Sequence, residues 1–173
     1  MPTSPRASDH VGGFTLVEML VTLVIMALLA GLATVSAGGN AQRGARDEMA
    51  RIRELLAFAR DEATMQGEEL GFIVDDEIAY RVLRFDPEAM TWAEITEKPL
   101  ERHALPAGLS LELSLPDAPN RARSRSDDAE LQPDVLVSSS GEISGFRLDI
   151  RLADSNDPVA SLGSDGSGTL QDL

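Results

Sequence analysis

Gly13-Phe14-Thr15-Leu16-Val17-Glu18 opens an apolar run that continues without a break to about Val35. A lone acid in such a segment is expensive, since on insertion scales a charged side chain at a bilayer centre costs roughly 2.5–3.5 kcal/mol. Glu18 therefore needs a cationic partner. The nearest one is an α-amino group, which exists on Phe14 if the chain is cut after Gly13.

Upstream of the two glycines, residues 1–11 are polar, with no hydrophobic core and no A-x-A cleavage site, so this is not an ordinary secretory signal. Arg6 is offset by Asp9, and only His10 could add charge, which leaves a weak orientation signal. As a helix, residues 14–35 span about 33 Å at ~1.5 Å per residue, enough for a hydrocarbon core of ~30 Å. Small residues (Ala27, Ala30, Gly31, Ala33, Ala37, Gly38 and Gly39) gather in the second half of the run. They fit either a close-packing helix face or local melting near Gly31 or Gly38-Gly39.

These residues resemble the type IV prepilin signal, which is shared by type IV pilins and by the pseudopilins of type II secretion. The resemblance implies that residues 1–13 are a leader, that prepilin peptidase cuts after Gly13 on the cytoplasmic side, and that Phe14 becomes an N-methylated N-terminus. It also implies that Glu18 is the acid used in filament assembly and that the precursor waits in the inner membrane. The competing reading is an uncleaved single-pass signal anchor with a stray glutamate.

Composition bounds the remainder. A chain of 173 residues holds one membrane helix and one modest globular domain. The net charge of −14 resides beyond the apolar run, and a strongly acidic head repels nucleic acid and anionic lipid. With no cysteine, a head that the resemblance places in the periplasm relies on packing and hydrogen bonds rather than disulfides.

Residues 36–66 read as an amphipathic continuation of the helix. Met49, Ile52, Leu55, Leu56, Ala59 and Ala63 fall on one face, Arg46, Asp47, Arg53, Glu54, Arg60 and Asp61 fall opposite, and Gly67 stands where a C-terminal cap is expected. From residue 67 to 173 the pattern becomes short strands, at 70–74, 79–85, 91–95, 109–115, 135–138, 146–152 and 159–162, with a last one near 169–170. Clean alternation in 109–115 and 146–152 predicts antiparallel strands with one wet face, which puts Arg147, Asp149 and Arg151 in solvent. Residues 120–133 are polar and biased, and read as a mobile loop. The fold class is thus α+β, a long N-terminal helix packed on an antiparallel β-rich head, with two sheets expected.

Ala59-Arg60-Asp61-Glu62-Ala63, Leu70-Gly71-Phe72-Ile73-Val74, the lone Trp92, Leu105-Pro106-Ala107-Gly108-Leu109 and Ser139-Ser140-Gly141-Glu142 are similar to the GspH/FimT class of minor pseudopilins and minor pilins. This resemblance implies a non-catalytic role at the tip of the periplasmic pseudopilus of type II secretion. Prepilin peptidase, the major pseudopilin, other minor pseudopilins and the inner-membrane assembly platform are the implied partners. A FimT- or FimU-like minor pilin of a type IV pilus, serving assembly or DNA uptake, is the alternative. Arg121, Arg123 and Arg125 are its only candidate phosphate contacts, too few for useful affinity at physiological salt.

An enzyme would have to be built on His103, the serines Ser138-Ser139-Ser140 and scattered acids, yet there is no G-x-S-x-G elbow and no metal-ligand spacing. His103 reads as a surface residue in a loop, and neither catalytic nor cofactor-binding residues are expected. The turns Asp154-Ser155-Asn156-Asp157 and Ser164-Asp165-Gly166-Ser167-Gly168 offer oxygen ligands of the kind calcium takes, but they match no complete loop, and β-turn chemistry accounts for the same residues.

Overall fold

The computed structural model describes residues 15–116 and 131–173; in the helix, the side chains of residues 30–38 fall outside that description. The chain divides into two compact units, Met1–Gly39 and Asn40–Leu173. Helix α1 (Leu16–Gln66) has 51 residues and continues through Gly31, Gly38 and Gly39, so the local melting allowed by those glycines is not seen. The large side chains from Leu16 to Leu29 are exposed. Among the described residues no helix is long and apolar enough to cross a membrane, and residues 30–35 of the expected span lie outside the side chains described.

The C-terminal end of α1 follows the chemistry read from Gly67. That glycine takes φ +69°, a left-handed conformation that costs it no Cβ clash, and the N–H of Glu68 donates to the Ala63 carbonyl at 3.1 Å. This is the six-to-one bond of a Schellman cap.

Among the described residues the second unit carries nine strands: β1 (Leu70–Asp75), β2 (Ala79–Asp86), β3 (Thr91–Glu94), β4 (His103–Ala104), β5 (Leu109–Ser114), β6 (Val135–Val137), β7 (Phe146–Leu152), β8 (Pro158–Ser164) and β9 (Leu170–Asp172). They form two antiparallel sheets. One runs β3-β2-β1-β6 with β4 also on β2, and the other runs β5-β7-β8-β9. Every expected strand is present. The short β4, read from sequence as part of a loop, is the addition: two residues give too little periodicity to see, and pairing with Ala79 and Tyr80 creates it. Most of the arginine-containing loop lies outside the described residues.

The hairpin between β1 and β2 ties the sheets together. Asp76 and Glu77 both take positive φ (45° and 63°) in its turn, closed by the Ile78 N–H donating to the Asp75 carbonyl at 3.0 Å. From the tip, the Glu77 carbonyl accepts from the N–H of Leu111 in β5 at 2.7 Å, and the Ile78 carbonyl from that of Leu105 at 2.8 Å. Two non-glycine residues in the left-handed region cost roughly 1–2 kcal/mol each, an expense offset by these two bonds between elements.

One core collects Ile52, Leu56, Ala59 and Ala63 of α1 with Phe72, Tyr80 and Val82 of the first sheet and Leu111, Leu148, Ile150 and Leu162 of the second. Strand alternation sends Gly71, Ile73 and Leu83 to the other face of the five-stranded sheet. Ile73 and Leu83 are nonetheless fully buried there. At Gly71 a Cβ would meet Pro133 Cβ at 2.3 Å and the Trp92 ring at 3.1 Å, so glycine is needed for close approach rather than for backbone freedom.

Gly71→Ala should therefore lower stability by about 1–3 kcal/mol through overpacking. Denaturant unfolding of the full chain in detergent would measure this, with Trp92 as the single tryptophan reporting locally. An unchanged midpoint would show that Pro133 moves aside at no cost.

Candidate functional site

Of the three sequence-predicted site residues, Gly13 and Phe14 lie outside the described residues, whereas Glu18 is in the first turn of α1. Thr15 caps that turn: the Glu18 N–H donates to Thr15 Oγ1 at 3.3 Å and to the Thr15 carbonyl at 3.1 Å. The spacing Thr15-x-x-Glu18 is the sequence signature of a capping box. An acid here also meets the positive end of the helix dipole. One turn on, the Thr22 hydroxyl donates to the carbonyls of Glu18 (3.0 Å) and Met19 (2.9 Å). Glu18 is exposed, on a turn whose geometry its neighbours hold.

The head contains a polar cluster that the helical stripe concealed. Glu48 is 7% exposed on the packed side of α1. Its Oε1 accepts from the Tyr80 hydroxyl at 2.7 Å, and His103 Nε2 lies 3.1 Å from the same oxygen, within reach of a charge interaction but without the alignment of a hydrogen bond. The Tyr80 and His103 rings lie in tilted contact, centroids 5.2 Å apart at an interplanar angle of 43°. Burial first, and then the hydrogen bond and charge of Glu48, push the Tyr80 phenol well above its ordinary value of 10.0, with Arg51 opposing. His103 is thus a partly buried strand residue, not the loop surface residue expected. Its register opposite Tyr80 places it there.

Asp149 is a second correction. It points to the face read as wet, yet it is 6% exposed. Arg147 Nε donates to both of its carboxylate oxygens at 3.1 Å and Ser161 Oγ donates to one of them, so neighbouring polar side chains cover it. Hydrogen bonding to Asp149, then its charge, holds the Arg147 proton more firmly than usual. Cross-strand cover of this kind cannot be read from one strand's alternation.

The remaining candidates resolve into turn chemistry. Glu69 Oε1 accepts from the Ser139 N–H (3.2 Å) and hydroxyl (2.7 Å), and from the Ser138 hydroxyl (3.4 Å). Asp165 Oδ1 accepts from the Ser167 hydroxyl at 2.6 Å and N–H at 2.9 Å, which holds its carboxyl below the ordinary value. Among the described residues no group of three or more His, Cys, Asp or Glu side chains is placed to hold a metal ion. Arg121, Arg123 and Arg125 fall outside the described residues.

With the geometry in place, comparison with known proteins gives a consistent result. Residues 9–34 match the prokaryotic N-terminal methylation motif, a span that includes Gly13, Phe14 and Glu18. Over 160 residues the chain is 32% identical to the type II secretion system protein H of Pseudomonas aeruginosa, covering 89% of this chain and 91% of that one. It is 30% identical to the protein of the same name from Escherichia coli over 162 residues, covering 91% of each. Its fold is similar to the crystal structure of the minor pseudopilin EpsH from the type II secretion system of Vibrio cholerae (TM-score 0.63, 24% identity, 76% of this chain and 94% of that one). It is also similar to the solution structure of Escherichia coli GspH (TM-score 0.59, 27% identity, 77% of this chain and 89% of that one).

The Tyr80 environment gives a signed prediction. Above pH 10.0 the unfolded phenol ionises while the folded one does not, so stability is fully present below that pH and declines as pH rises past it. Tyr80→Phe should remove this alkaline decline and cost about 1–3 kcal/mol at neutral pH by leaving Glu48 short of a donor. Because Tyr80 is the only tyrosine, phenolate absorbance against pH, native and in denaturant, checks the first point directly. Coincident titrations would refute it.

Proposed function

The chain belongs to the type II secretion system protein H family, the minor pseudopilins of type II secretion, and we propose that it enters the pseudopilus through its N-terminal segment in three steps. The precursor inserts in the inner membrane with residues 1–13 in the cytoplasm, through the apolar helix of residues 14–35. Prepilin peptidase then cuts between Gly13 and Phe14 and methylates Phe14. The helix finally moves into a filament, where Glu18 neutralises the Phe14 ammonium of a neighbouring subunit and apolar side chains close around the pair.

The observation that carries this reading is the combination of a matched methylation motif with an acid in the first turn of a helical segment whose large apolar side chains are exposed. Eleven exposed large apolar side chains from Leu16 to Leu29 in water would be untenable; in lipid or in a bundle of like helices they become the contact surface. In this reading residues 36–66 continue the helix into a periplasmic head of residues 67–173, and the head works at the pseudopilus tip with the major pseudopilin, other minor pseudopilins and the inner-membrane assembly platform. The role is assembly and not catalysis. The two relatives at 30% identity or more are both named for type II secretion, which favours this reading over the pilus alternative.

Two substitutions separate the steps. Gly13→Leu should block processing, so that only precursor is seen on immunoblots. Glu18→Ala should be cleaved normally yet fail to restore secretion to a deletion strain, since removing one partner of a buried pair costs about 3–5 kcal/mol. The secreted proteins of the deletion strain should accumulate in the periplasm, while pilus motility is retained. Loss of cleavage in the Glu18→Ala protein would place the acid in peptidase recognition instead, and an unchanged secretome would remove the assignment to secretion.

A further inference from the structure

The outer face of the five-stranded sheet has the make-up of a contact surface. Leu136 of β6 is 41% exposed and stands in register with Gly71, over which Pro133 and Trp92 pack. Phe85 and Trp92, paired across β2 and β3, meet in a tilted contact with centroids 5.2 Å apart, and both are half-buried. On the same face Ile73 and Leu83 are fully buried. Strand register and packing, not chance exposure of one residue, make it contiguous.

Its rim is acidic. Asp86, at the end of β2, and Glu88, in the turn that follows, stand beside Phe85 and Trp92, and Asp134 precedes β6. Arg81, the guanidinium on this face, is already engaged: it donates to Glu94 Oε2 at 2.9 Å and to Asp75 Oδ1 at 3.2 Å. Arg102 is likewise directed to Asp75, at 3.4 Å. A rim of this sign, on a chain of net charge −14, disfavours a second copy and favours cations. We propose that this face docks a segment of another pseudopilin that presents an apolar side chain flanked by lysine or arginine. The proposal rests on the reading that the chain works among other pseudopilins, and it adds where on the head one of them binds and by what chemistry. The apolar contact supplies affinity, and the acidic rim selects the partner and speeds its approach.

The test is photocrosslinking in cells that carry the intact secretion system. The full-length chain has p-benzoylphenylalanine at position 136, with position 112, on the outer face of the other sheet, as control. The expected result is an adduct with a different pseudopilin at 136 and not at 112, the crosslinked peptide containing lysine or arginine beside an apolar residue. Glu88→Lys should lower its yield by roughly two- to fivefold, the effect of an exposed charge pair. An adduct with a second copy, an acidic crosslinked peptide, or equal yields at 136 and 112 would overturn the proposal. If the substituted chain does not restore secretion, the probe moves to Met90, 69% exposed in the adjoining turn, and the same readings apply. Secretion restored without any adduct sinks this docking face alone, whereas secretion that never depended on the protein sinks the pseudopilin reading itself.

Discussion

The head is organised by the burial of one stripe of α1 between two sheets that are held together by no disulfide. Ala45, Ala59 and Ala63 are fully buried along with Ile52 and Leu56. The three alanines let the sheet side chains approach the helix backbone, and the two larger residues fill the centre. At roughly 25 cal/mol per Å2 of apolar surface, this contact is the main source of stability available to a domain of such size. Everything described for the sheets follows from it: their inner faces must be apolar, their edges must be capped by turns, and polar groups reaching the helix must bring partners.

Glu48 shows how strict that last condition is. A carboxylate on the packed side of the helix survives because Tyr80 donates to it and His103 stands beside it. A helix rotated or slid by one turn would leave the acid and the phenol both unpaired, a cost of several kcal/mol. The cluster therefore selects one seating of α1 on its sheet, where the alanine-rich stripe alone would tolerate others.

Much of this was legible in the chain. The strands showed because turn residues separate them and because alternation in 109–115 and 146–152 survives intact. The prepilin-like segment showed because an acid inside an apolar run is too costly to be incidental. What escaped were features decided between elements. Glu48 falls at a helical position next to Met49, where a polar residue reads as flank until Tyr80 is placed against it. His103 lacks the neighbours that would mark a strand of two residues, and Asp149 obeys its strand's alternation while Arg147 and Ser161 cover it. The Thr15 cap is local, and its spacing to Glu18 carries it in the sequence itself.

The hydroxyl of Thr22 has a consequence for transit. Its two acceptors are carbonyls of its own helix, so its hydrogen bonding is complete before any neighbour is met. A polar group that depended on a particular surrounding would act as a ratchet, held back wherever its partner was and resisting release. Thr22 depends on none. In the transit proposed above, exchanging acyl chains for protein around this turn would leave its solvation unchanged, and the asymmetry between the two surroundings would rest on the single carboxylate one turn before it.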